Sequence, residues 1–332
     1  MKHRHRVRPG IVGAALLLAA SAAQAAGLHR IPLTAMPSAA AVNASSPELI
    51  FVTNNNGGAV RAYPTTANGN VTPTRTISGA NTGLKAPTGI AVAPDGRIGV
   101  ADDVPGSGQI HALTFAAGAN GNASPLTAIS CGGTGIPFGA AFDSRGNLYV
   151  TNNRGVAVAV FAPAANGCVT NDRFITNAVL GLPEGVHVTG NGMVYVAEAF
   201  GVVVYAPGAR ANAVPVATIT GSNTGISGGQ AADVTVDAAG EIIVANEFSI
   251  DVFAANANGN VAPIRTIAGS NTLLNGANGI ALDAAGNIYV ANVLGNTITA
   301  YANGANGNVA PLRMIAGPST GLTVPYKIAI GP

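Results

Sequence analysis

The chain has 332 residues, which is enough for one large domain or two average ones. Only 9% of the residues are charged and 48% are hydrophobic, with 44 glycines and 20 prolines. This composition excludes a disordered chain and favours a packed, turn-rich all-β protein. Without the four basic residues near its start, the chain carries 12 Lys and Arg against 14 Asp and Glu, which excludes electrostatically driven binding of nucleic acid.

The first 25 residues have the pattern of a secretory signal peptide. Four basic residues lie between positions 2 and 8, and an apolar run follows from Ile11 to Ala20. That run is shorter than the ~20 residues of a membrane span. We predict cleavage after Ala25, export to the periplasm or the cell exterior, and no membrane span in the mature chain. Residues 26–47 are predicted to be an extended leader.

From residue 48 onward the sequence repeats. The segments 89–102, 185–198, 233–246 and 279–292 align without gaps, and their turn glycines recur every 46 to 50 residues. This period is typical of propeller blades. Each unit predicts an inner strand, a second strand after an Asp-x-x-Gly turn, a third strand that ends in an aromatic residue, and a fourth strand. An Asn-Gly-Asn tip precedes the fourth strand and predicts a type I′ hairpin turn.

The two ends of the repeat region complement each other. Residues 326–330 match an inner strand and then stop, whereas residues 49–53 match a second strand that lacks its inner partner. Five complete units and one shared unit give six blades. The sequence therefore predicts an all-β, six-bladed β-propeller over residues 48–332, with four antiparallel strands per blade. The C-terminal strand completes the N-terminal blade, and we expect a monomer.

Two motifs connect these blades to a known family. They are G-I-A-L-D-x-x-G-N-I-Y-V-A-N at 279–292 and V-A-P-x-R-x-I-A-G at 261–269 and 309–317. With them the chain resembles NHL-repeat proteins, a family that is distantly similar to the gluconolactonase-type six-bladed propellers. The resemblance spans residues 48–332. It implies the fold and no particular activity, because propellers include binding proteins, lactonases and lyases.

One face of the predicted disc concentrates polar residues. Inner strands begin and second strands end on that face, so their residues form two rings around the mouth of the channel. The candidate ligand-binding residues of these rings are Glu184, Asn278 and Tyr326 on inner strands, and Asn54, Asp102, Asn152, Glu198, Asn246 and Asn292 after second strands. Asn and Asp after a strand are also typical turn caps. Glu198 fits that alternative less well, because its side chain is longer.

The resemblance also implies a candidate metal site. In gluconolactonase-type propellers a Glu-Gly, an Asn-Gly and an Asp-Gly hold a divalent metal near the channel mouth. Glu184 and Asn278 match the first two pairs here, and such oxygen ligands suit Ca²⁺ or Mg²⁺. The third pair does not match, because Asp233 lies one place further along its strand. We therefore expect no cofactor, with Ca²⁺ or Mg²⁺ at Glu184 and Asn278 as the alternative.

The functional hypotheses follow from these incomplete patterns. His29, His111 and His187 occupy unrelated positions, which argues against a three-His zinc site. No catalytic residue is identified. We expect a non-catalytic binding module whose mouth takes a small molecule, a glycan or a peptide. The alternative is a metal-dependent, lactonase-like hydrolase or a lyase that uses the same face.

Two cysteines occur in the chain, Cys131 and Cys168. In an oxidising compartment such a pair favours a disulfide. The repeat register instead places them at opposite ends of outer strands in neighbouring blades, ~25 Å apart, against the ~6 Å between Cα atoms that a disulfide needs. The sequence therefore favours two free thiols.

Overall fold

The computed structural model describes residues 47–131, 135–168, 173–176, 179–226 and 231–332. These residues form six sheets arranged as the blades of a propeller, and the only helices among them are single 3-10 turns. The predicted signal peptide and almost all of the predicted leader lie outside the described residues. Within the described part, no helix is both long enough and apolar enough to cross a membrane.

The strands are numbered along the chain and grouped here by blade, from the channel outwards. Blade 1 contains β25 (Pro325–Gly331), β1 (Leu49–Asn54), β2 (Ala59–Pro64) and β3 (Arg75–Ile77); blade 2 contains β4 (Pro87–Val92), β5 (Ile98–Asp102), β6 (Ile110–Phe115) and β7 (Thr127–Cys131); blade 3 contains β8 (Pro137–Phe142), β9 (Leu148–Asn152), β10 (Ala157–Phe161) and β11 (Arg173–Thr176). Blade 4 contains β12 (Pro183–Val188), β13 (Val194–Glu198), β14 (Gly201–Tyr205) and β16 (Ala217–Thr220); blade 5 contains β17 (Ala231–Val236), β18 (Ile242–Asn246), β19 (Ser249–Phe253) and β20 (Arg265–Ala268); blade 6 contains β21 (Ala277–Leu282), β22 (Ile288–Asn292), β23 (Thr297–Tyr301) and β24 (Arg313–Ile315). The two-residue strand β15 (Ala211–Asn212) pairs with β11, and the 3-10 turns are Asn55–Gly57, Ala80–Thr82, Ser222–Thr224, Ser270–Thr272 and Pro318–Thr320.

The predicted closure of the ring is confirmed. β25 is the innermost strand of blade 1 and pairs antiparallel with β1, so that Ile328 lies opposite Val52 and Ile330 opposite Ile50. Ile50, Val52 and Ile328 are buried in one apolar cluster with Tyr289 of blade 6. The C-terminal strand therefore joins the last blade to the first through both backbone pairing and the core.

The turn between the inner and second strands shows how the sequence repeat produces the blade. In blade 3, the Asp143 carboxylate accepts hydrogen bonds from the backbone N–H groups of Arg145 and Asn147, and Gly146 follows with a φ of 80°. Blade 6 repeats the same arrangement at Asp283. An acidic cap followed by a glycine in the left-handed region reverses the chain within four residues.

The predicted third-strand aromatic residues fill the space between blades. All six are buried, at 0 to 3% exposure: Tyr63, Phe115, Phe161, Tyr205, Phe253 and Tyr301. The hydroxyl of Tyr301 donates to the Thr272 carbonyl at 2.6 Å, and the Tyr63 hydroxyl donates to the Thr320 carbonyl at 2.5 Å. A buried tyrosine hydroxyl needs such a partner, and in both cases the partner lies in the 3-10 turn that leads into the tyrosine's own blade.

The Asn-Gly-Asn tips differ from the predicted type I′ turns. That turn needs a positive φ at both central residues, yet Gly121 has one and Asn120 does not. Instead, Gly121 pairs in parallel with Ile77 on the outer strand of the preceding blade. Asn120 accepts a hydrogen bond there from the Thr76 N–H at 2.8 Å. The tips thus cover the outer strand edge of the neighbouring blade, a long-range contact that a local turn pattern does not reveal.

The same contact corrects the argument made for the cysteines. Gly167, in the equivalent tip of blade 3, pairs with Ile129 in β7, which ends at Cys131. Cys168 therefore follows a residue that lies beside β7, so the predicted separation of a whole strand length is wrong. Cys168 is a free, exposed thiol, whereas the side chain of Cys131 lies outside the described residues.

Candidate ligand site at the channel mouth

The second residues of the six inner strands form a ring around one end of the channel. They are Thr88, Phe138, Glu184, Ala232, Asn278 and Tyr326, as the repeat predicts. The next position is glycine in four inner strands, and there neighbouring strands approach closely: a Cβ on Gly89 would lie 2.7 Å from the carbonyl carbon of Gly139. Asp233 and Lys327 replace this glycine in the other two strands.

Asp233 and Lys327 form a buried ion pair just below the ring. Their charged atoms are 3.9 Å apart, and the Lys327 ammonium also donates to the carbonyls of Ala232 at 2.5 Å and Asn278 at 2.7 Å. The Asp233 carboxylate accepts from the backbone N–H groups of Val234 and Ile280. Burial raises the pKa of Asp233, and the Lys327 charge acts in the opposite direction. Both charged groups of the pair thus have hydrogen-bond partners in addition to each other.

A cavity of about 250 Å³ lies at the mouth. Its wall consists of Glu184, Ala232, Glu247, Gly276, Ala277, Asn278, Val293, Leu294 and Tyr326. The structure therefore brings the predicted inner-ring residues Glu184, Asn278 and Tyr326 together on one cavity. Phe138 stands beside them, with its ring centroid 5.8 Å from that of Tyr326.

Glu184 is the central acidic group of this cavity. Burial raises the pKa of its carboxyl, the Lys327 ammonium lowers it, and Asp233 raises it further. Within the described part of the chain, no hydrogen-bond donor contacts the Glu184 carboxylate. The Oδ1 atom of Asn278 is likewise buried without a donor among the described residues. The cavity thus presents acceptors that the protein itself does not satisfy.

Two further acids lie around the mouth. Glu247 follows β18, and its carbonyl accepts a 2.7 Å hydrogen bond from Ala277, the residue before Asn278. Asp103 acts electrostatically on Tyr326, whose pKa rises to about 12, first because of burial and then because of Glu184 and Asp103. Tyr326 is therefore a neutral hydroxyl at physiological pH, near the carboxylates of Glu184 and Asp103.

The outer ring has a different role in the structure. Each of its six side chains hydrogen-bonds the loop that leads into the inner strand of its own blade. For example, the Asp102 carboxylate accepts from the N–H groups of Lys85 and Ala86 at 2.9 to 3.0 Å. The others contact the loops as follows: Asn54 with Thr323, Asn152 with Ile136, Glu198 with Gly181, Asn246 with Gly225 and Asn292 with Asn275. They act as loop caps, and we do not place them in the ligand site.

The metal ligands implied by the family resemblance do not fit together here. Glu184 and Asn278 line one cavity, but the third acid, Asp233, is bound to backbone N–H groups and faces the Lys327 ammonium. No group of three His, Cys, Asp or Glu residues within the described part could hold a metal ion. The Lys327 ammonium thus lies beside Asp233 and is bound by the carbonyl oxygens of Ala232 and Asn278.

The opposite end of the channel contains a larger cavity of about 440 Å³. All six inner strands line it, mostly with aliphatic side chains such as Val186, Val234 and Ile328. Its titratable residues include His187, whose pKa is lowered to about 4 by burial and whose Nδ1 lies 3.5 Å from the Thr235 hydroxyl. His187 is therefore a residue packed in its strand.

Sequence reasoning missed the Asp233–Lys327 pair, although a signal exists. Both residues stand where the repeat otherwise has glycine, on inner strands of blades 5 and 1, which come together across blade 6 only once the ring is closed. An acid and a base that replace the same repeat glycine in two units indicate a pair inside the channel.

Comparisons with protein-family models and with curated proteins gave no match. Among solved structures, the chain is similar to one titled as a nidogen/laminin complex, with 15% identity, a TM-score of 0.63, and coverage of 86% of this chain and 98% of that one. It is also similar to the WD40 β-propeller domain of Doa1, with 12% identity, a TM-score of 0.55, and coverage of 82% and 80%. Virginiamycin B lyase from Staphylococcus aureus matches with 14% identity, a TM-score of 0.50, and coverage of 76% of each chain. At these identities the likeness shows the fold alone: the chain is a six-bladed β-propeller.

Proposed function

We propose that this propeller is a binding module that holds a small ligand in the cavity at its channel mouth. The observation that carries the proposal is a cavity of about 250 Å³ whose wall contains the polar residues Glu184, Asn278 and Tyr326. Buried polar groups are normally hydrogen-bonded, and the buried Asn278 Oδ1 atom has no donor among the described residues, as expected of a site that a ligand completes.

Three features of the sequence support the setting that we propose for this module. The basic and apolar pattern of residues 1–25 supports export to the periplasm or the cell exterior. The motif at 279–292 supports an NHL-type relationship. The low proportion of charged residues favours a small molecule, a glycan or a peptide over a nucleic-acid partner, and we propose that the module acts as a monomer.

The enzyme alternative has less support. A lactonase-like hydrolase needs a bound divalent metal, and the channel offers two of the three ligands with a lysine beside the third. One structural relative is titled a lyase, but the cavity that we describe here has no histidine in its wall. We therefore derive no catalytic step.

A variant that fills the mouth tests the binding function. Ala232 lines the cavity, and blades 1 and 3 carry Tyr326 and Phe138 at the equivalent position, so Ala232→Phe is compatible with the strand. Ala239→Phe, at an exposed turn of the same blade, is the matched control. Ligand-observed NMR with a library of small amines, sugars and dipeptides should give binders that the control retains and Ala232→Phe loses. If no binder depends on Ala232, the proposal is wrong.

A further inference from the structure

We infer that the mouth cavity binds a small organic ammonium ion, with its charged group at Glu184 and its apolar part against Val293 and Leu294. This inference rests on the proposed function and adds the chemical class of the ligand. It follows from the charge around the cavity, the hydrogen-bonding capacity of its wall and its aromatic and aliphatic surfaces.

The charges around the mouth are unbalanced. Glu184 and Glu247 line the cavity, and Asp103 acts on Tyr326 from the neighbouring blade. The nearby ammonium of Lys327 is 3.9 Å from Asp233 and donates hydrogen bonds to two backbone carbonyls, so its charge is already paired. Two carboxylates thus line the cavity and a third lies near Tyr326, whereas the Lys327 ammonium is already paired with Asp233. Carboxylates around a cleft concentrate cations there.

The hydrogen-bonding groups select the same class of ligand. The Asn278 Oδ1 atom is buried without a donor among the described residues, and the partly exposed Glu184 carboxylate is a second acceptor on the same cavity. An ammonium group supplies three donors and no acceptor. A carboxylate or phosphate ligand would instead place acceptors against acceptors.

The remaining wall suits the body of an organic cation. Tyr326 and Phe138 present a tilted aromatic pair, and a cation within about 6 Å of an aromatic ring is attracted by its π electrons. Lys327 already shows this contact, with its ammonium 6.0 Å from the Tyr326 ring centroid. Val293 and Leu294 form the aliphatic side of the cavity, and Leu294 is 60% exposed. A primary amine with a small apolar group combines both properties.

Benzylamine and benzyl alcohol test the inference, because they share one shape and differ in charge. At pH 8 and low salt, NMR titration should give a dissociation constant at least about tenfold lower for benzylamine, with benzoate weaker than both. That ratio corresponds to about 1.4 kcal/mol. Glu184→Gln should abolish the preference, whereas Glu241→Gln, a glutamate outside the mouth, should preserve it.

The outcomes separate the ligand class from the proposed function. If both compounds bind equally and Ala232→Phe removes both, the mouth is a binding site but the preference for ammonium is wrong. If neither binds at 20 mM, or if Glu184→Gln leaves the preference unchanged, the inference is overturned, while the library experiment still decides the binding function. If Ca²⁺ alone stabilises the protein through Glu184 and benzylamine does not, the site is a metal site and the inference fails.

Discussion

The ammonium of Lys327 lies 3.9 Å from the carboxylate of Asp233, between an inner strand of blade 1 and an inner strand of blade 5. Blade 6 stands between these two strands, and its Gly279 leaves the space through which the lysine passes: a Cβ there would lie 2.7 Å from the Lys327 Cα atom. The pair therefore connects three blades at the point where the ring closes.

Removing one member of this pair should be costly. Lys327→Met leaves the Asp233 carboxylate buried without its counter-charge, and we expect a loss of about 3–5 kcal/mol in the free energy of unfolding. Asp233→Asn together with Lys327→Met should cost clearly less than the two single changes added together, because no unpaired charge remains. Urea denaturation of the four proteins measures this coupling, and additive losses would contradict it.

Deletion of residues 326–332 should open the ring. The deletion removes the strand that pairs with β1 and the buried side chain of Ile328. The loss of one large buried aliphatic group alone costs about 2–5 kcal/mol, and β1 also becomes an unprotected edge. We expect a melting temperature at least about 10 °C lower, or a failure to fold. Deletion of Pro332 alone, which is exposed, should leave it unchanged; an unchanged value for the longer deletion would refute closure by β25.

Asp102 distinguishes a loop cap from a ligand-binding acid. Four of the five equivalent positions are asparagine, and the Asp102 carboxylate accepts hydrogen bonds from Lys85 and Ala86. Asp102→Asn keeps an acceptor and should change the unfolding free energy by less than about 1 kcal/mol, whereas Asp102→Ala should cost about 1–3 kcal/mol. Calorimetry compares the two variants. If both leave stability unchanged and abolish ligand binding, Asp102 belongs to the ligand site.

His187 should make stability depend on pH. Burial lowers its pKa to about 4, below the 6.5 of an unperturbed histidine. The unfolded chain therefore takes up this proton first, so the contribution is complete above about pH 6.5 and is lost as the pH falls toward about 4. We expect a loss of about 2 kcal/mol over this range that His187→Gln removes.

His111→Gln is the control for that experiment. Burial also lowers the pKa of His111, but Asp103 raises it, so its replacement should alter the profile less than the replacement of His187. Unfolding free energies at half-unit steps from pH 4 to pH 7 give the profiles. An identical pH dependence in wild type and His187→Gln would show that His187 does not cause it.

The sequence by itself determined the architecture. A period of 46 to 50 residues, the recurring turn glycines and the complementary ends establish six blades, because a repeated pattern of apolar residues and turn residues specifies the same local strands each time. It also identified the ring that contains Glu184, Asn278 and Tyr326, since the order of strands fixes which residues share a face.

Only the tertiary structure decided which of these polar residues are available for a ligand. Asn54 and Asn278 look alike in the sequence, yet the first is bound to the loop before β25 and the second lines a cavity. Hydrogen bonds between segments 200 or more residues apart, such as the one that joins Asn54 to Thr323, depend on closing the ring and leave no local pattern. The same is true of Lys327, whose partner Asp233 becomes its neighbour only when β25 takes its place in blade 1.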